Sequence, residues 1–408
     1  MKSLRAYRNL FKLRLNMLLR REVVDHYPIV AYIEPTLFCN LRCPACPTGL
    51  RLNLRSPVRL DWDLFTAAID EIGEYIFELY MYNWGEPLLH PETPAMIRYA
   101  KQQHMQVTLS TNFSVALSDD YLAALIDSGL DRIVISLDGV SAATYGHYRR
   151  QGDHGRVREN MSRLRAARDH KRRDKPEIVW QFLVFAHNEH EISTAKACYR
   201  EWGADCIIVE GAQMPVSPFD AGFSPSTQSQ YNLYHPGHPY QRSGQRQLRD
   251  GRPCSWLYGA IVLNPDGRIS PCCGTAAARD DFGTYSGKES LMSIYNSQPY
   301  QGARAINRHT QPRNKQPGVA MIRGMAAENP ATRRAETLIC AVCPIPFRQD
   351  DIHKTITRVS YQTLHHLLRG KLRAVAALVA MGGPSFYGVW RWLRSHIREL
   401  LRDSLGSR

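Results

Sequence analysis

The sequence predicts an α/β protein: a partial (β/α)6 TIM-like barrel with a small C-terminal module built on a β-hairpin and helices. Three observations carry that expectation. Short apolar runs alternate with amphipathic segments from Val30 to Gly211, the pattern of parallel strands joined by crossover helices. Right-handed crossovers curl such a sheet, and chemistry then collects at the C-terminal ends of its strands. Further on, Asp266-Gly267 separates two short apolar runs, a hairpin signal. With 408 residues, 44% hydrophobic and 22% charged, the chain can bury a sizeable core and has an ordinary globular composition.

Taken in order, residues 3–22 set Leu4, Tyr7, Leu10, Phe11, Met17 and Leu18 near helical spacing, with Arg5, Arg8, Lys12 and Arg20 between them. That is a basic amphipathic helix, suited to packing across a barrel or to lying on a membrane surface. Strands are expected at Val30–Pro35, Ile76–Tyr82, Gln106–Ser110, Arg132–Leu137, Ile178–Phe185 and Cys206–Glu210. Helices are expected between them at Leu60–Ile72, Glu92–His104, Asp119–Ser128 and Val157–Asp169. Residues 213–253 are rich in Pro, Gly, Ser, Gln and Tyr and read as a connection, part of which closes over the barrel mouth. These readings divide the chain into an N-terminal helix (1–27), a barrel (28–212), a connection (213–253), a hairpin module (254–345) and a basic helical tail (346–408). In the tail, Ala374–Met381 is apolar but too short to span a bilayer. The aromatic and arginine alternation of Phe386–Arg394 suits a docked helix or an anionic membrane interface.

The formal net charge is +14, and most of it sits at the ends. Residues 1–26 hold seven Lys/Arg against two acids, and residues 344–408 hold eleven against four. A near-neutral body with two basic appendages excludes a chain-wide nucleic-acid groove, so no nucleic-acid partner is expected. The chain has 10 cysteines. Most fall in motif-like groups and no apolar signal-peptide core follows the basic N-terminus, which favours metal binding in a reducing cytoplasm over disulfides.

The motifs lie where barrel chemistry collects. Cys39, Cys43 and Cys46 form a C-x3-C-x2-C loop directly after the first expected strand. Three thiolates on so short a loop can converge on one small object, as iron–sulfur clusters require. A zinc site would need a fourth ligand from elsewhere in the chain. After the second strand comes Asn83-Trp84-Gly85-Glu86-Pro87, after the third Ser110-Thr111-Asn112, and the fourth ends in Ser136-Leu137-Asp138-Gly139. Arg149 and Arg150 follow, either able to grip a carboxylate. A second cysteine set has Cys254 and Cys272 flanking the hairpin and Cys340 and Cys343 in a C-x2-C turn. Four thiolates of this kind suit zinc or a cluster equally. Cys273 is left over, and Cys198 and Cys206 read as core residues.

The C-x3-C-x2-C loop in this strand–loop context resembles the radical S-adenosylmethionine (SAM) superfamily, and the resemblance covers roughly residues 28–345. It implies a [4Fe–4S] cluster on Cys39, Cys43 and Cys46, whose open iron chelates SAM. Cleavage of SAM would give a 5′-deoxyadenosyl radical that abstracts a hydrogen atom from substrate. Gly85, Glu86 and Pro87 resemble the family's G-G-E-P motif, with Trp84 in place of its first glycine. Ser110, Thr111, Asn112, Ser136, Asp138 and Arg149 are expected around SAM by the same resemblance, Arg149 toward its carboxylate. The second set resembles the twitch form of the SPASM extension, implying one auxiliary [4Fe–4S] cluster on Cys254, Cys272, Cys340 and Cys343. An enzyme is expected, fed by a reductase, flavodoxin or ferredoxin, that oxidises or epimerises a sugar or polyol-type, lipid-linked or small-molecule substrate, with peripheral contact to anionic membrane at its basic ends. The alternatives are a ribosomal-peptide maturase and a non-enzymatic metal scaffold with basic arms.

Overall fold

The computed structural model describes residues 2–212 except Asn53, 223–233, 235, 238, 253–309, 352 and 355–359. The chain divides into two compact units, 1–356 and 357–408. Of the second only 357–359 is described, as helix, and the aromatic tail segment and the segment with Cys340 and Cys343 lie outside the described residues.

Among the described residues, the first unit is built on one nine-stranded sheet. Its elements are α1 (Leu4–Leu18), β1 (Val30–Ile33), α2 (Trp62–Ile72), β2 (Glu78–Tyr80), α3 (Thr93–Lys101), β3 (Gln106–Thr111), α4 (Asp119–Asp127), β4 (Arg132–Ser136), α5 (Ala142–Tyr148), α6 (His154–His170), β5 (Glu177–Val184), α7 (Ile192–Cys198) and β6 (Cys206–Gly211). Then follow α8 (Trp256–Gly259), β7 (Ala260–Leu263), β8 (Arg268–Ser270), β9 (Gly283–Thr284), α9 (Leu291–Tyr295) and α10 (Gln298–His309). The strand order is β6-β5-β4-β3-β2-β1-β7-β8-β9. β1 to β6 run parallel, as the alternating pattern predicts, and the barrel stays open.

The sequence accounts for each layer. β1 is buried at all four positions, as a parallel strand covered on both faces must be. α2 turns Phe65, Ala68, Ile69 and Ile72 to the sheet, and α6 turns Val157, Met161 and Leu164, both at helical spacing. Asp61, Ser118, Ser141 and Asp153 cap α2, α4, α5 and α6 through their side chains. The expected hairpin is present, with Gly267 at φ +78 in its turn. Its first strand is not separate from the barrel: β7 pairs parallel with β1 from Val30↔Ala260 to Ile33↔Leu263, so the hairpin extends the barrel sheet.

α1 packs at the N-terminal end of the strands, which we call the floor. Lys2 Nζ donates to the carbonyls of Gly73 and Gln103, both at 2.7 Å, where α2 and α3 turn toward β2 and β3. The Tyr7 ring meets Phe77, just before β2. Asn9 exchanges two hydrogen bonds with the Tyr27 backbone, at 2.9 and 2.7 Å.

Candidate active site at the cysteine loop

The opposite end, the mouth, collects the predicted motifs. Cys39, Cys43 and Cys46 join one packed cluster with Leu41, Ala45, Tyr148, Phe185, Ala212 and Phe223. Phe223 comes from the connection, and Pro225 bridges to Phe185, so this part of the connection covers the loop as expected. Burial pushes the Cys39 thiol up to about 12, with the Glu86 charge adding to it, and burial pushes Cys43 up to about 11. Buried thiols of this kind ionise when a cation binds them. Asn112 Nδ2 approaches Cys39 Sγ at 3.9 Å, and the Arg149 charge works against burial at Cys43, favouring its thiolate. The three cysteines share one aromatic-covered cluster, yet among the described residues no three His, Cys, Asp or Glu side chains converge as a ready metal site. It is the loop's thiol chemistry and not a preset geometry that suits an iron–sulfur cluster.

The remaining predicted residues fall into two clusters. In the first, the Glu86 carboxylate accepts from Thr111 Oγ1 at 2.6 Å, the Asn112 backbone N–H at 2.7 Å and the Leu88 N–H at 3.1 Å. Burial still raises it to about 7 against these donors. Asn112 in turn donates to Asn40 Oδ1 at 2.9 Å. Pro87 opens a short 3-10 turn, and Gly85 runs so close to Thr36 that a β-carbon there would collide with its carbonyl. In the second cluster, Asp138 Oδ2 accepts from Arg149 Nε at 2.6 Å, while its Oδ1 accepts from the Leu183 N–H at 2.8 Å. Burial raises Asp138. It also opposes the charge on Arg149, but Asp138, Cys43, Tyr148 and Tyr145 together outweigh that and hold Arg149 well above its usual value. Arg149 thus gives its Nε to Asp138, which fixes the direction of its remaining guanidinium N–H groups. Ser136 turns toward Gln181 at 3.4 Å, and Ser110 lies half-buried in β3.

Sequence reasoning missed the frame around these groups. Glu34, fully buried at the end of β1, accepts from the backbone N–H groups of Trp84 and Gly85, both at 2.5 Å. Its Oε2 has no partner among the described residues, and burial raises the carboxyl to about 7. An acid at the C-terminal end of the first strand was the available signal. Arg55 binds Asp281 at 2.6 and 2.9 Å and Asp266 at 3.2 Å, clamping the cysteine loop's far end to the hairpin. Trp84 Nε1 donates to the Thr275 carbonyl at 3.1 Å. The residue that departs from the G-G-E-P pattern therefore ties the loop after β2 to the segment after Cys272. A cavity of about 240 Å³ opens between these loops, lined by Phe38, Cys39, Arg42, Arg51, Trp84 and Ala276 among others.

Residues 33–193, which hold the whole cysteine loop and four of these strand ends, match the radical SAM superfamily. That stretch is a radical SAM domain. Residues 254–318 match the SPASM iron–sulfur cluster-binding domain, so the cofactors are SAM and [4Fe–4S] clusters. A tungsten-containing aldehyde ferredoxin oxidoreductase cofactor-modifying protein of Pyrococcus furiosus is 25% identical over 68% of this chain and 83% of its own length. A PqqA peptide cyclase of Gluconobacter oxydans is 28% identical over 46% of this chain, which spans about half (50%) of that protein. Among solved structures, SuiB of Streptococcus suis bound to its precursor peptide SuiA shares the fold, with TM-score 0.56 at 12% identity over 81% of this chain and 80% of that one. The radical SAM barrel and its small C-terminal strands are thus as the sequence predicts.

Proposed function

We propose that this radical SAM enzyme modifies a peptide, forming a crosslink or epimerising a residue. The observation that carries the reading is the similarity of the barrel to PqqA peptide cyclases, 28% identical over 186 residues in the Gluconobacter protein. The cavity beside Cys39 agrees with it: apolar walls from Leu37, Phe38, Leu52 and Leu54 can take a side chain, with Arg42 and Arg51 as cations among the lining. Nothing in the comparisons supports the sugar or polyol substrate expected from the sequence.

In this reading Cys39, Cys43 and Cys46 hold the SAM-binding cluster, and Cys254, Cys272, Cys340 and Cys343 hold the auxiliary one. Gly85, Glu86, Pro87, Ser110, Thr111, Asn112, Ser136, Asp138 and Arg149 surround SAM. When bound, cluster and SAM together supply one-electron cleavage of a sulfonium bond and hence a hydrogen-atom abstractor. The chain's own residues orient and seal the site. Asp138 fixes Arg149, whose charge favours the Cys43 thiolate, Glu86 fixes Thr111 and Asn112, and Asn112 faces Cys39. Tyr148, Phe185 and Phe223 keep water from the loop. A reductase, flavodoxin or ferredoxin supplies the electron.

A second reading, modification of a small cofactor, is favoured by the length of the match to the Pyrococcus protein. One experiment separates the two. Reconstituted protein is incubated anaerobically in D2O with SAM, dithionite and short peptides encoded beside its gene. A peptide that loses hydrogen or gains deuterium while 5′-deoxyadenosine forms supports the peptide reading. If 5′-deoxyadenosine forms and every peptide emerges unchanged, that reading fails and cofactor substrates are next.

A further inference from the structure

α1 was expected either to pack on the barrel or to lie on a membrane, and its two faces divide those roles. Its inner face is settled in the floor: Ala6, Leu10, Leu13 and Met17 are buried, and Asn9 and Asn16 are buried with hydrogen-bond partners. The outer face is apolar as well. Leu4 is 72% exposed, Phe11 70%, Leu18 79% and Leu15 38%. At 3.6 residues per turn these four fall in a wedge about 60° wide. Arg8, Lys12 and Arg5 follow in that order around the helix beside it, and α1 contains no acidic residue. The apolar surface continues past the helix through Leu19 and Val23, with Arg21 between them.

Single exposed leucines are normal on any protein, but contiguous ones mark an interaction surface. Of the ten large hydrophobics exposed among the described residues, six lie between Leu4 and Val23. That is a concentration, not scatter. The charges identify the partner. Lys12 is paired with Asp25 at 3.1 Å, whereas Arg5, Arg8 and Arg21 make no ion pair among the described residues. A second copy docked on this face would bring two sets of unpaired arginines together. An anionic surface would neutralise them while taking up the leucines and Phe11.

We propose that the outer face of α1 docks this enzyme on an anionic lipid bilayer. The inference does not depend on the peptide reading. It has a geometric consequence for the site: α1 crosses the floor of the barrel, while the cysteine loop is at the mouth. Docked through α1, the enzyme opens its mouth away from the lipid and takes its substrate from water, which removes the need for a lipid-linked one.

The test is co-sedimentation of full-length reconstituted protein with vesicles of phosphatidylcholine alone, and with about one part phosphatidylserine to three of phosphatidylcholine. Two variants are compared, Leu4→Ser/Phe11→Ser/Leu18→Ser and Arg5→Gln/Arg8→Gln/Arg21→Gln. All six side chains are on the surface, and unchanged iron content and melting temperature verify the fold. Wild type should bind the anionic vesicles and not the neutral ones. The arginine variant should bind about a hundredfold more weakly, with the apolar variant losing at least as much. Equal binding of both variants and wild type would place the contact elsewhere in the chain and overturn the proposal. So would equal binding to neutral vesicles. A wild type that ignores vesicles and forms dimers broken by the apolar substitutions would overturn it in favour of self-association.

Discussion

The two ends of the barrel bury polar groups for different purposes. At the floor, each named group closes a local account with backbone: Lys2 caps two chain turns, Asn9 brackets Tyr27, and His26 sits between Asn16 and the Tyr258 carbonyl. Burial lowers His26 to about 4, so it stays neutral and serves as a hydrogen-bonding spacer. At the mouth, acids, amides and a guanidinium lie near three thiols, two carboxylates are raised to about 7 by burial, and Glu34 keeps a buried oxygen without a partner among the described residues. Polar groups satisfied by backbone at the bottom of a barrel speak of stability, and convergent, perturbed groups at its top speak of chemistry.

That contrast can be broken by substitution. The largest effect is expected at the mouth from Arg149→Met, which strands the buried Asp138 carboxylate and should cost about 3–5 kcal/mol. It should also lower iron retained after reconstitution. Chemical denaturation and iron analysis read the two effects, and a variant that is stable with full iron would dissolve the proposed link from Asp138 through Arg149 to Cys43. At the floor, Asn9→Ala should cost about 1–3 kcal/mol by leaving the Tyr27 backbone unpaired, yet keep full iron and SAM cleavage. If SAM cleavage falls with it, the two ends are not independent.

The smallest effect concerns Glu34. Burial raises it from 4.5 to about 7, so the folded chain holds this proton more tightly than the unfolded one. Its contribution to stability is full below pH 4.5, declines as pH rises between 4.5 and about 7, and is gone above that. Glu86 acts with the same sign. Glu34→Gln should therefore flatten, without abolishing, the decline in melting temperature across that window. An unchanged slope would show that Glu34 is already ionised when folded.

What the sequence made legible followed from periodicity and local chemistry. The strand expected at Gln106–Ser110 is Gln106–Thr111, and that at Arg132–Leu137 is Arg132–Ser136, because alternation and apolar runs set strands directly. The motifs sit at the expected strand ends. Less legible were ties between residues far apart in the chain, which no local pattern carries: Glu34 with Trp84, Trp84 with Thr275, Arg55 with Asp281. Nor did spacing separate the faces of α1. Leu10 and Met17 face the core while Leu4, Phe11 and Leu18 face out, and in so leucine-rich a helix both stripes satisfy the same periodicity.

The central claim is that Cys39, Cys43 and Cys46, backed by Asn112 and Arg149, hold a cluster separate from the second cysteine set. Iron and sulfide per chain, measured after anaerobic reconstitution of wild type and of the Cys39→Ala/Cys43→Ala/Cys46→Ala variant, test it most directly. Two cubane clusters predict about eight irons falling to about four, with SAM cleavage lost. A variant that retains all its iron, or still forms 5′-deoxyadenosine, would contradict the account.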